Sequence, residues 1–235
     1  MHNSSRFGKI LFFSLIFILL TIAMTMTENT KRTPEHHLEN GTFVNTNGTA
    51  NNKKLKELWK WMTGKKESKA IPIEFEMVDP DLKLINQDKS FSITWIGHAS
   101  FLYQNKELNI LTDPHLTNRA SPINFAGPQR YTKPAMKFEE LPRIDFVTIS
   151  HNHYDHLDLR TVKWIAKNNP DAMFLVPLGL KKWFLDKSIN NVIELDWWES
   201  YIINDTKITF TPVQHWSSRT LFDRNQTLWG GWHIK

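Results

Sequence analysis

Cysteine is absent from this chain of 235 residues. Its absence excludes a disulfide framework, a thiolate-held metal and a cysteine nucleophile together. Neither a G-x-S-x-G elbow nor a glycine-rich phosphate loop occurs, which removes the serine-hydrolase and P-loop nucleotide-binding classes. Charge of one sign is not concentrated. The formal net charge of +5 is scattered, with part of it ahead of the folded domain, so a nucleic-acid surface is not expected. Internal repeats are lacking too. Core-forming residues are not scarce: 40% of the chain is hydrophobic and ten residues are tryptophan, far too apolar and aromatic for a disordered chain. With thiolates excluded, any metal must be held by imidazole and carboxylate, a donor set that suits zinc, manganese or iron.

One long hydrophobic run exists, from Ile10 to Met24, behind Arg6 and Lys9. A basic start followed by an apolar stretch reads as a signal peptide or an uncleaved signal-anchor over 1–26. The two cations are expected to stay cytoplasmic, which places the domain on the non-cytoplasmic side of the membrane. Residues 27–54 are dominated by Asn, Thr, Lys and Gly and show no apolar periodicity, the pattern of a flexible polar linker. His36 and His37 fall in this linker and read as solvated. Asn40-Gly41-Thr42 and Asn47-Gly48-Thr49 match the glycosylation sequon.

The domain is expected over 55–235. A short helix is predicted through Leu55–Met62, with Leu55, Leu58, Trp59 and Met62 on one face. Strands follow in SFSITWIG, SFLYQN and LNILTDP, the last two joined by a turn near Asn105 and Lys106. A loop rich in Pro and Gly spans 114–142, and IDFVTIS is a buried strand. Asp158 can cap a helix through LRTVKWIAKN, then AMFLVP is a strand and GLKKWFLDK a helix. NVIELD, ESYIIN, KITFTPV and LWGGWHI supply four further strands. Strands mixed with crossover helices indicate an α/β fold.

The chemistry sits directly after the buried strand, in SHNHYDHLD. His151 and His153, two residues apart on an extended segment, can face one ion together. Asp155 and His156 follow where the chain bends, and can reach a second ion beside the first. Two ions about 3.5–4 Å apart stabilise the attacking and leaving oxygens of a displacement, which is the physical use of crowding ligands on one loop.

SHNHYDHLD is similar to the signature of the metallo-β-lactamase fold superfamily. TWIGHASFL, LTDPHLTNRASPINFAGPQRYTKPA, LPRIDFVTISHNHYDHLD and FTPVQHWSSRTLFDRNQTLWGGW resemble its branch of phospholipases D that hydrolyse N-acylphosphatidylethanolamine. The likeness runs from about Leu55 to Lys235. It implies an αβ/βα sandwich and two zinc ions (Zn2+). His151, His153 and His215 would hold the first zinc, and Asp155 and His156 would take part in holding the second. Asp113 would support a ligand from beneath, while His98 in GHAS reads as buried-turn structure. The resemblance further implies phosphodiester hydrolysis by zinc-activated water, with Asp155 as the catalytic acid–base. The implied products are phosphatidic acid and an N-acylethanolamine. A membrane phospholipid is the implied partner, with aromatic pairs such as Trp59/Trp61 and Trp197–Trp198 either at the bilayer or in the core.

The resemblance also implies a bridging Asp and a final His downstream of LWGGW, and the sequence stops at Lys235 before either. His233, inside a strand, does not match. The domain is therefore expected to be incomplete, with much of its second half missing. An apolar face of the retained sheet should then stand exposed, and a homodimer or a separately encoded remainder could complete the site. A lactonase or nuclease of the same superfamily, or an inactive zinc-binding fragment, are the alternative readings.

Overall fold

The computed structural model describes residues 34–49, 76–87 and 91–235. The expected signal or anchor segment, both ends of the 27–54 stretch and the expected helix over 55–62 with Trp59 and Trp61 lie outside the described residues. Among the described residues no helix is long and apolar enough to cross a membrane.

Six strands form a mixed sheet in sequence order, β1 (Ser92–Gly97), β2 (Ser100–Gln104), β3 (Asn109–Thr112), β4 (Phe146–Thr148), β5 (Met173–Pro177) and β6 (Val192–Leu195). β1 to β3 meander antiparallel, whereas β3 to β6 run parallel. Parallel neighbours need crossovers. Two of these are α2 (Leu159–Asn168), between β4 and β5, and α3 (Lys181–Leu185), between β5 and β6. A short α1 (Leu82–Gln87) precedes β1 and was not foreseen. Asp81 Oδ1 accepts from the backbone N–H groups of Lys83 and Leu84 at its start, while Ile85 enters the core. A second, antiparallel sheet contains β7 (Ser200–Ile203), β8 (Thr206–Thr211) and β9 (Gly231–Ile234).

Strand alternation divides the first sheet between two apolar layers. Leu111, Val147, Phe174 and Val176 face Val162 and Ile165 of α2 and Phe184 of α3. Ile110, Phe146 and Leu175 face the other way, toward Ile208, Tyr201 and Trp232 of the second sheet. Covering both faces is why β4 is buried at every position, as parallel strands under crossover helices commonly are. α2 begins at Asp158, whose carboxylate accepts from the Arg160 N–H and the Thr161 hydroxyl.

One expectation needs correction. The stretch 27–54 was read as flexible linker, but its described part packs onto the domain: Phe43 and Val44 are buried, and Phe43 joins Trp197, Phe210 and Trp229 in one cluster. Local composition is polar there, and it took a tertiary groove to bury the few apolar residues. The retained sheet was expected to expose an apolar face; the second sheet does not, since its outward side carries Lys207, Thr209 and His233, with Ile202 the apolar exception. The exposure lies on the first sheet. Its β1–β2 end extends beyond the second sheet and leaves Ile93, Trp95 and Phe101 uncovered.

These layers predict unequal sensitivity to mutation. Leu111→Ala, in the closed layer, should cost about 2–5 kcal/mol in chemical denaturation. Ile93→Thr, on the uncovered end, should cost no more than about 0.5 kcal/mol.

Candidate metal centre

The loop after β4 is built on one carboxylate. Asp113 follows β3 with a positive φ of 38°, a conformation that costs a non-glycine residue on the order of 1 kcal/mol. Its Oδ1 accepts the Ser150 N–H at 2.7 Å, and its Oδ2 accepts the Ser150 hydroxyl at 2.7 Å. His156 Nδ1 lies 2.9 Å from the same Oδ2. Because the Ser150 proton goes to a carboxylate, its oxygen is left to accept from His151 Nδ1, 2.9 Å away. Both imidazoles therefore carry a proton on Nδ1 and turn an Nε2 lone pair outward. Partners of this kind commonly orient metal-binding histidines. Asp113 stands beneath the loop.

Three imidazole nitrogens converge. His151 Nε2 lies 2.7 Å from His153 Nδ1 and 3.1 Å from His215 Nε2. In a tetrahedral zinc site neighbouring nitrogens are about 3.3 Å apart, so a small relaxation would admit an ion. Burial, with His215 next to it, pushes His153 down to about 4. Burial and the neighbouring imidazoles likewise lower His151 and His215. All three are shifted toward the neutral, ligating form, and their donor atoms face one point. The donor set thus fits a metal.

A second group adjoins it. His98 Nε2 lies 2.9 Å from Asp155 Oδ2, and His156 Nε2 lies 3.6 Å from the same oxygen. Donor atoms of His98, Asp155 and His156 all fall within 4.8 Å of one another, as do those of His151, His153 and His215. Burial lowers His156, but the hydrogen bond to Asp113 and the charges of Asp113 and Asp155 outweigh it and hold the group above its ordinary value. Burial raises Asp155, but the charge of His156, its own backbone N–H and His98 outweigh that and keep it low.

His98 departs from expectation. It is exposed rather than buried, sits at φ 52° beyond a register shift in the β1–β2 hairpin, and points its ring at the metal loop. A bulge that re-aims a side chain has no hydrophobic period to betray it. His233 is exposed on the outer face of β9, away from both groups.

Two supports came from residues that sequence patterns did not mark. Arg219 lies under the loop, donating from Nη1 to the carbonyls of Asn152 at 3.0 Å and Leu157 at 2.8 Å. Its guanidinium stacks 4.0 Å from the Tyr154 ring centroid, and burial pushes it down to about 10. Asn45, in the stretch expected to be linker, uses one Oδ1 to accept the His215 N–H at 2.9 Å and the Trp229 indole N–H at 3.0 Å. Gly230 completes the frame. Its N–H donates to Ser150 O at 3.0 Å, and a Cβ there would lie 2.4 Å from the Phe210 ring. A cavity of about 490 Å³ lies alongside, walled by Tyr154, Asp158, Arg119, Arg160, Lys187 and Arg219, with none of the six donor residues in its lining.

A histidine-rich loop at the end of a parallel strand, between two stacked sheets and with two adjacent donor groups, is the architecture of a metallo-hydrolase. Residues 108–235 match the beta-lactamase superfamily domain, and the chain belongs to that superfamily. Among curated proteins it is similar to N-acyl-phosphatidylethanolamine-hydrolyzing phospholipase D 1 of Caenorhabditis elegans, 38% identical over 77% of this chain and 55% of that protein. The mitochondrial N-acyl-phosphatidylethanolamine-hydrolyzing phospholipase D of Saccharomyces cerevisiae is 33% identical over 69% of this chain and 36% of its own length. The chain thus spans about half, or less, of these relatives. Among solved structures, a metallo hydrolase from Ignicoccus hospitalis matches 61% of this chain and 55% of its own at 21% identity and a TM-score of 0.45, too partial a likeness to argue from.

Replacing Asp113 by Asn should release the orientation of His151 and His156 while changing little volume. Zinc affinity of the loop, measured by competition with a chromogenic chelator, should fall about 10–100-fold.

Proposed function

We propose that this chain carries the metal centre of a hydrolase that cleaves a phosphodiester in an N-acylated phospholipid, with zinc as the native metal. The observation that carries this reading is the convergence of His151, His153 and His215 beside Asp155 and His156, with His151 and His156 oriented from one carboxylate. Similarity to the two named phospholipases D supports the substrate class. Zinc bound there would supply a Lewis acid that polarises the phosphoryl oxygens and makes water acidic enough to act near neutral pH. The chain's residues do the rest. His151, His153 and His215 would fill three positions of a zinc shell, which leaves a fourth for water or substrate. Asp155, kept ionised by His156 and His98, accepts the proton of the attacking water. His98, exposed at the mouth, holds that carboxylate in place and can pass the proton outward.

A bilayer surface is the proposed partner. Phe125, Leu221 and Phe222 are largely exposed on the two loops that wall the cavity beside the metal loop. Apolar tips beside basic side chains suit insertion among anionic headgroups. Trp197 belongs to the core, donating its indole N–H to Trp229 O, whereas Trp198 stands exposed and is available to lipid. The export of the domain rests on Arg6 and Lys9 ahead of the apolar run, and a homodimer or separate remainder would supply further ligands to the second donor group.

The test is hydrolysis by the zinc-loaded full chain of N-acylphosphatidylethanolamine in mixed micelles, against a lactone, RNA and a chromogenic soluble diester. Release of phosphatidic acid, abolished by His151→Ala and lowered at least about a hundredfold by Asp155→Asn, is the expected result. Preference for the lactone or RNA assigns the chain to a different hydrolase of the superfamily, and no turnover of any substrate marks a zinc-binding fragment.

Leu221→Asp with Phe222→Asp should lower activity on vesicles about tenfold or more while sparing the soluble diester, because only the bilayer substrate requires those side chains to be buried.

A further inference from the structure

His36 and His37 were read from sequence as solvated, yet the fold carries them to Asp196, just past the end of β6. His36 Nε2 lies 2.6 Å from Asp196 Oδ1, and His37 Nε2 lies 2.8 Å from Asp196 Oδ2. Neighbouring residues on extended chain face opposite ways, but these two rings stand edge to face at 4.4 Å and bring their Nε2 atoms to one carboxylate. Apolar walls close the cluster. Trp197 stacks on His36 at 4.2 Å and Phe43 meets His37 edge-on at 5.1 Å. The carboxylate is fixed independently, since its Oδ1 also accepts the Trp197 N–H at 2.7 Å.

A hydrogen-bonded His–Asp–His group accounts for only half of this. The His36 contact has hydrogen-bond geometry. The His37 contact does not, and His37 Nε2 remains a buried nitrogen without a hydrogen-bond partner despite lying so near the carboxylate. A buried polar atom left without a hydrogen bond is unfavourable. Its lone pair misses the oxygen, which is the arrangement expected of ligands aimed at a shared point beside them. The donor atoms of His36, His37 and Asp196 lie within 4.8 Å of one another and share no residue with the loop centre.

We propose that His36, His37 and Asp196 form a separate metal site that takes a divalent first-row cation, zinc by its two imidazoles and one carboxylate, and fastens the 36–49 strap to the junction of β6 and β7. Each imidazole then binds through Nε2 and keeps its proton on Nδ1, and a water fills the remaining position. The site is an anchor. Val44 N–H returns to His36 O at 3.0 Å, and the next residue, Asn45, holds the backbone of His215 and the indole of Trp229. A cation here stiffens the strap that supports a ligand of the loop centre.

The experiment counts zinc per chain by mass spectrometry on the full-length protein in detergent, after loading and desalting. Wild type is compared with His36→Gln/His37→Gln, whose amides can still donate to Asp196 but bind zinc poorly, and with Asp196→Asn. The same pair is then made in a His151→Ala/His153→Ala/His215→Ala background, so that zinc lost indirectly from the loop is not mistaken for zinc lost here. One zinc fewer in each single-site variant, with the background protein retaining a zinc that Asp196→Asn removes, is the expected result. Equal counts in wild type and variants, or zinc retained in the background after Asp196→Asn, would overturn the proposal and leave a hydrogen-bonded clasp. Circular dichroism of the Gln variant separates loss of the ion from loss of the fold.

Discussion

The Asp113 carboxylate takes the N–H and hydroxyl of Ser150 and the Nδ1 proton of His156, and through the Ser150 oxygen it sets the ring of His151 as well. Two histidines assigned to two different donor groups thus answer to one buried anion. The fold is arranged to keep that anion where it is. β3 and β4 run parallel side by side, so the residue leaving β3 lies under the residue leaving β4. A positive φ at Asp113 then turns the side chain beneath the loop. The strain is local, and the buried hydrogen bonds to a charged acceptor offset it.

From that base the centre is completed by parts distant in sequence. His215 arrives from the loop after β8, its backbone held by Asn45 from the opposite end of the chain. His98 arrives from the β1–β2 hairpin. Arg219 ties two carbonyls of the metal loop from below, and Gly230 joins the second sheet to Ser150. Each support fixes backbone rather than a donor atom, so the imidazole nitrogens stay free to meet an ion. The low protonation tendency of His151, His153 and His215 follows from the same packing, since burial and mutual proximity both disfavour adding a proton.

The strap at 36–49 changes what counts as the domain. Its Asn, Thr and Gly residues gave it the look of a solvated linker, and both sequon asparagines do sit in exposed turns, each accepting from the N–H and hydroxyl of the threonine two residues on. Between those turns Phe43, Val44 and Asn45 are buried. A run of three inward residues is too short to show a period, and its partners, Trp197, Trp229 and His215, lie about 150 to 185 residues away.

What the sequence determined by itself is what depends on near neighbours. The alternating or wholly apolar runs of β1 to β9 and the apolar face and Asp158 cap of α2 were legible because pleat and helix periods, and short apolar runs, show within a few residues. The crowding of His151, His153, Asp155 and His156 on one loop was legible because ligands that share an ion need short spacing. His215 and Asp113 were reached only through resemblance. Tertiary structure alone decided that Ser150 links the two donor groups, that His98 leaves its hairpin to face Asp155, that Arg219 and Asn45 brace the centre, and that His36 and His37 meet Asp196. Most of those pairings join residues far apart in the chain through one or two polar contacts. A hydrogen bond leaves no periodic trace in sequence, so only the folded backbone could bring its partners within reach.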